Sequence, residues 1–440
     1  MRRRASPAAF LVAVQITAIA VVGGVTAFRF HIFAAVDELA HVSYVQDVAE
    51  QGALPWEGRS YVSWQMEAIE QDTYPQRSSV DPRHYGLAGY SYEAFQPPLY
   101  YLLAVPAFAI PSNYRDKVIA VRLFDVLLLL AAVAVLALLA RALSLAHRWE
   151  LLAVALSVLL WPGVIVRVVT VSNAALELPI TLLYVLVLWH ATARRSPRLL
   201  LAAAAVLGLC LLTALTLVFL AVLLALPAFA LLRKRRDRAA LAWVGAAALI
   251  PLALLAPWVA SNEARYGALT ATALAKALQG PVVDPTGAHY GLGSLLAWLG
   301  RFERPLLPQE WWTQYAGAGV ILRLVPALLL AAALVPLVRR PRLARSCAAA
   351  LFASPLVLGF LTLAGIVLFA DWPSFLPRYV NTEFVLLALF AAWAWFELRA
   401  RPGAILATAA AATALSGAVW VYMAGAFYFT NIGASLGIHA

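Results

Sequence analysis

Asp37-Glu38-Leu39-Ala40-His41-Val42-Ser43-Tyr44, followed after seven residues by Gly52-Ala53-Leu54-Pro55, stands directly behind the first long apolar segment of the chain. Two adjacent carboxylates at the point where a chain leaves a bilayer are costly unless something uses them. Read as a helix opened by Asp37, positions 37, 41 and 44 fall on one face at i, i+4, i+7 spacing, while Leu39, Val42 and Val45 take the other. An acid, an imidazole and a phenol therefore look one way, and an apolar stripe is left to lie on lipid or on neighbouring helices. The plain alternative is an N-cap Asp with a Glu in the first turn, which needs no function.

Working outward, composition settles the class. Of the residues 63% are hydrophobic and 12% charged, and the mean hydropathy is +0.81. Such a chain of 440 residues is an all-α polytopic membrane protein and not a soluble one. Apolar runs cover 10–28, 118–140, 151–170, 175–189, 199–212, 215–232, 241–260, 320–338, 351–370, 384–396 and 404–423, which predicts about eleven spans. The runs around 212–215 are short for a bilayer core about 30 Å thick, so a re-entrant hairpin is the alternative there. Cys210 and Cys347 both lie in apolar segments and imply neither a disulfide nor a metal site.

Charge gives the orientation. Alternating the spans from a cytoplasmic N-terminus places on the cytoplasmic side nineteen of the 33 Lys and Arg residues and only three of the 22 acids. Every basic cluster then obeys the positive-inside rule, so the high pI reports topology and gives no reason to invoke nucleic acid. Arg2-Arg3-Arg4 ahead of the first apolar run reads as the start of an uncleaved anchor. The expected organisation is a single integral membrane domain, 1–440, in the plasma or inner membrane. Its large extracytoplasmic loops are 29–117, with an amphipathic piece near 62–69, and 261–318, and no C-terminal soluble domain is expected.

The remaining polar positions gather on the same outer side. Glu93-Ala94-Phe95-Gln96-Pro97-Pro98-Leu99-Tyr100-Tyr101 sets an acid and an amide before a rigid Pro-Pro step, with Pro98 expected as the first helical residue. Arg122 and Asp125, at i, i+3 inside the second span, are expected to pair with each other. Asn173 and Glu177 sit at an outer turn, Asn262 closes the seventh span, and Pro377-Arg378-Tyr379 places a guanidinium at the mouth of the tenth. That guanidinium can hold a phosphate by paired hydrogen bonds.

Together, Asp37-Glu38 with His41, Tyr44 and Gly52-Ala53-Leu54-Pro55, then Gln96-Pro97-Pro98-Leu99-Tyr100-Tyr101, Pro257-Trp258 with Asn262 and Tyr266-Gly267, and Pro377-Arg378-Tyr379, resemble the GT-C superfamily of membrane glycosyltransferases. The nearer likeness is to its protein O-mannosyltransferase and lipid A aminoarabinose transferase branch. The resemblance runs over nearly the whole chain. It implies a sugar donor on a polyprenyl phosphate, an extracytoplasmic active site and inverting transfer to an acceptor hydroxyl. The catalytic acid of the first outer loop then matches Asp37, with Glu38 beside it. The chain departs from the family where it reads Asn173-Ala174, since relatives often carry an acid after the Asn, and at Thr213-Ala214-Leu215-Thr216, where they often carry a Lys.

The chemistry expected of these residues is a base for the acceptor proton and polar contacts for a departing phosphate. Asp37 is the expected base and Arg378 the phosphate anchor. Tyr379, His41, Gln96 and Asn262 are donor contacts, and Glu93 is an acceptor or metal contact. A divalent ion, Mg or Mn, suits Asp37, Glu38 or Glu93, because hard cations favour carboxylate oxygens, although no ligand spacing demands one. The expected partners are the lipid-linked sugar, membrane lipids and an acceptor that is a glycan, lipid or protein. Rival readings are a non-catalytic relative that binds polyprenyl phosphate and a transporter or flippase of a lipid-linked sugar. The hydrophobic pattern holds no clear internal repeat to favour the latter.

Overall fold

A computed structural model describes residues 6–35, 37–73, 91–283, 319–370 and 381–427. Every regular element among them is helical. In chain order these are α1 (Pro7–Arg29), α2 (Glu38–Gln51), α3 (Trp64–Thr73), α4 (Leu99–Ala109), α5 (Tyr114–Leu143), α6 (Arg148–Leu159), α7 (Pro162–Val169), α8 (Ala174–Arg194) and α9 (Pro197–Thr213). A tight three-residue-per-turn helix, Leu215–Leu224, leads into α10 (Ala225–Lys234), α11 (Arg238–Tyr266) and α12 (Thr272–Val283). Then follow α13 (Gly319–Arg339), α14 (Pro341–Ala344), a wide turn at Ala349–Ala353, α15 (Ser354–Ala370), α16 (Asn381–Glu397) and α17 (Pro402–Phe427).

The protein is a multi-pass α-helical membrane protein. Among the described residues, six helices are long and apolar enough to cross a bilayer, or seven if the bent pair α6–α7 counts as one span. Each of the eleven apolar runs falls mainly on helical residues, three of them divided between two elements. Large apolar side chains such as Phe10, Leu127, Leu249 and Val421 are exposed along them. In water such a surface would aggregate; against acyl chains it is the ordinary outer face of a span.

Local chemistry explains where the helices start and stop. Ser6 caps α1 by accepting from the Ala9 amide, with Pro7 in the first turn, and Asn113, Ser196 and Asp237 cap α5, α9 and α11 in the same way. Gly52 and Gly267 end α2 and α11 in the left-handed conformation that glycine adopts without strain. Pro98, expected inside α4, is its N-cap.

One predicted span is corrected. The run 151–170 is not a single helix: it breaks between α6 and α7 with a bend of 74°. Trp161 is extended and Pro162 restarts the chain as the first residue of α7. The break frees the Leu160 carbonyl, and both Ser416 Oγ and the Trp420 indole donate to it at 2.8 Å from α17. A broken helix is tolerated at membrane depth where neighbours satisfy the backbone in this way.

Packing places the site. α8 lies against α5 and α9, α9 lies against α11, and α6 is surrounded by α1, α16 and α17. Gln15 of α1 ties this second group together, donating to the Ala153 carbonyl and to Thr413 Oγ1, both at 2.8 Å. α16 is buried on nearly all sides from Asn381 to Ala392. It packs on α8.

Candidate functional site

Between α1 and α2 the backbone is strained at two described positions. Phe33 and Asp37 both take positive φ, 64° and 66°, which a bulky Phe adopts rarely and Asp somewhat more readily. What holds the turn is Glu38, which is 1% exposed. Its Oε1 accepts from Arg122 Nε at 2.7 Å and from the Val171 amide at 3.2 Å; its Oε2 accepts from Arg122 Nη2 at 2.7 Å and from the Phe33 amide at 2.9 Å. The same guanidinium donates to the carbonyls of Phe30 at 2.6 Å and His31 at 3.0 Å. One buried ion pair thereby clamps the end of α1, the start of α2, α5 and the segment after α7.

This corrects the expected Arg122–Asp125 pair. Arg122 reaches across to Glu38, and Asp125 instead accepts from the Tyr100 hydroxyl at 3.0 and 3.1 Å. It also separates the two adjacent acids by role. Glu38 spends every acceptor position on the clamp, whereas Asp37 is half-buried. As N-cap of α2, Asp37 makes no side-chain capping bond, and its Oδ1 accepts from the Tyr92 hydroxyl at 3.1 Å. The plain capping role is thus not the one this carboxylate plays.

Behind Asp37 the polar residues form a connected set. His41 Nδ1 lies 2.8 Å from the Tyr101 hydroxyl, and the Tyr101 ring stacks on Tyr44 with centroids 3.7 Å apart. Tyr44 donates to the Gln96 carbonyl at 3.2 Å, and the Gln96 amide donates to Glu93 Oε2 at 2.9 Å. Asn173 Nδ2 donates to Gln96 Oε1 at 3.3 Å and to the Thr213 carbonyl at 3.2 Å. The two departures noted in the sequence, after Asn173 and around Thr213, are therefore neighbours in space. Glu177 joins the set one helical turn beyond Asn173, to whose carbonyl its amide donates at 3.0 Å.

Glu177 in turn meets Arg167, whose Nη2 stands 3.2 Å from its Oε2. Arg167 lies on α7, beyond the bend. Arg167, Tyr92 and the first turn of α16 were not singled out from sequence, and Tyr101 only as the end of the Gln96–Tyr101 motif. Arg167 in an apolar run and Glu383 at the edge of another are, like Arg122, Asp125 and Glu177, ionisable residues that intramembrane cost makes suspect, and that signal was legible.

Asn262 stands apart from this set. Its amide donates to the Leu269 carbonyl at 3.2 Å, and no bond joins it to the residues around Asp37. The end of α11 that carries it reaches the first loop by other residues: Arg265 donates to the Leu54 and Pro55 carbonyls, and the Glu57 amide donates to the Tyr266 hydroxyl at 2.9 Å. Glu57 Oε2 accepts from the Phe95 amide at 3.1 Å, and burial pushes the Glu57 carboxyl up to about 8, opposed by that bond. Beyond α2, a polar cavity of about 410 Å³ is lined by Gln46, Asp47, Glu50, Arg59 and Ser63 among others. Arg378 and Tyr379, the expected phosphate contacts, lie outside the described residues.

Among the described residues no group of three or more His, Cys, Asp or Glu is placed to hold a metal ion. With Glu38 consumed by Arg122, a hard cation at this site would draw on Asp37 and Glu93. No protein-family model matches the chain, and no curated protein matches it.

Proposed function

We propose that this chain is a membrane glycosyltransferase of the GT-C type, with about eleven spans, a cytoplasmic N-terminus and an active site on the extracytoplasmic face. It takes a sugar from a polyprenyl-phosphate donor and transfers it, with inversion, to an acceptor hydroxyl on a glycan, lipid or protein. The observation that carries this reading is the division of labour between two adjacent acids. Glu38 is locked in a buried clamp, and the clamp holds Asp37 in a left-handed turn, released from capping and facing a polar core. Backbone strain of this kind is found where a side chain is being aimed.

In the proposed step the acceptor hydroxyl attacks the anomeric carbon and the bond from that carbon to the phosphate oxygen breaks. The acceptor proton passes to the Asp37 carboxylate, and polyprenyl phosphate leaves with the bonding pair. Arg378 is the proposed phosphate anchor, with Tyr379, His41 and Gln96 as contacts. A bound Mg or Mn would add charge stabilisation at the phosphate. Glu38 is withdrawn from the catalytic pair and kept as a positioning residue, because it has no acceptor position left for a proton or a substrate.

The test is transfer of labelled sugar from synthetic polyprenyl-phosphate donors by the purified full-length protein. Replacing Asp37→Asn is expected to lower transfer by about 10²–10⁴-fold, the range of general-base catalysis, with donor binding retained. Undiminished transfer by this variant would remove Asp37 as the base. Donor binding without transfer to any of a broad acceptor panel would favour a partner subunit or a transporter.

A further inference from the structure

Asn381 and Glu383 open α16, at 6% and 1% exposure. The amide oxygen and nitrogen of Asn381 and both carboxylate oxygens of Glu383 are buried without a hydrogen-bond partner. Buried polar atoms are nearly always paired, so four unpaired atoms on two residues separated only by Thr382 point to a missing partner. The pair does not stand alone. α16 packs on α8, and the charges of Glu177 and Arg167 act on Glu383. Glu177 is fixed by Arg167 at 3.2 Å and approached by the Thr216 hydroxyl at 3.5 Å. Glu177 lies one helical turn beyond Asn173, to whose carbonyl its amide donates at 3.0 Å, and Asn173 donates to Gln96, so Glu383 neighbours the polar set behind Asp37.

The chemistry of the four atoms narrows the occupant. A lone cation would satisfy the Glu383 oxygens and leave the Asn381 N–H groups unpaired. A phosphate would accept from Asn381 but meet the carboxylates of Glu383 and Glu177. A hydroxyl both donates and accepts. Two neighbouring hydroxyls on one ring can give their protons to Glu383 and to the Asn381 oxygen while accepting from its N–H groups. We propose that Asn381 and Glu383 form the subsite that grips the ring hydroxyls of the transferred sugar, an assignment that rests on the transferase reading above.

The experiment compares two lipids on the full-length protein in nanodiscs: bare polyprenyl phosphate and polyprenyl phosphate carrying each of a panel of hexoses and pentoses. The wild type is expected to bind at least one glycosylated lipid about tenfold or more tightly than the bare one, the scale of hydrogen bonds to a charged group. Glu383→Gln and Asn381→Ala should each erase most of that preference and leave affinity for the bare lipid unchanged. A preference that survives in both variants, or is absent from the wild type across the panel, would overturn the subsite while leaving lipid-phosphate binding intact. Failure to bind either kind of lipid would overturn the transferase reading, and the subsite with it. Should Asn381→Ala not fold, Glu383→Gln alone carries the decision.

Discussion

At the scale of single residues, the Arg122–Glu38 pair shows how much a buried charge depends on its partner. Both side chains are wholly inaccessible. Replacing such a pair by matched neutral groups is often tolerated, whereas removing one member strands the other and costs about 3–5 kcal/mol. Arg122→Gln alone is therefore expected to lower the apparent melting temperature in detergent sharply, because Glu38 is left charged among backbone amides that supply hydrogen bonds but no counter-charge. The double variant Arg122→Gln with Glu38→Gln should recover a large part of the loss. Equal destabilisation of the single and the double variants would mean that the bonds to Phe30, His31 and Val171 matter more than the charges. Adjacent in sequence, Asp37 belongs to a different network and should report on transfer and not on stability.

At the scale of elements, the loop after α2 is held to α11 and to the segment before α4 by short-range bonds around Glu57. The Glu57 carboxyl is raised from its ordinary value to about 8 by burial, so the folded protein binds this proton more tightly than the unfolded chain does. Stability from this group is thus greatest in acid and is lost as pH rises from about 4.5 to about 8. Asp47 is raised to about 6, by burial and then by the neighbouring Glu50 charge, and adds the same sign over a lower window. Glu57→Gln keeps an acceptor for the Phe95 amide and removes the titration. Melting curves from pH 5 to pH 8.5 should then show a flatter profile above pH 6 and a higher melting temperature than wild type at pH 8. A variant as pH-sensitive as the wild type above pH 6 would sink the assignment.

For the whole molecule, the polar set and the basic clusters should lie on opposite sides of the membrane. Tyr61, exposed beyond α2, and Arg236, exposed between α10 and α11, are suited to mark the two sides. In a background with Cys210 and Cys347 replaced, Tyr61→Cys in intact cells should react with an impermeant thiol reagent, and Arg236→Cys should react only after the membrane is opened. The reverse pattern would invert the proposed orientation and take the Asp37 face into the cytoplasm.

Sequence by itself determined the class and most of the helices, because bilayer burial acts on one residue at a time: an apolar run of sufficient length becomes a helix whatever its neighbours are. It also brought Asp37, His41, Tyr44 and Gln96 into view, since helical spacing and a Pro-Pro step are local signals. Tertiary structure alone decided which charges meet. The i, i+3 spacing of Arg122 and Asp125 suggested a pair, yet a buried guanidinium needs several acceptors at once. Only the turn 27–31 and Glu38 together supply them. The break between α6 and α7 was hidden as well, because the acceptor it exposes is satisfied by Ser416 and Trp420, more than two hundred residues away. The unpaired side chains of Asn381 and Glu383 came into view for the same reason: whether a polar atom has a partner is a property of the packed chain and not of its local sequence.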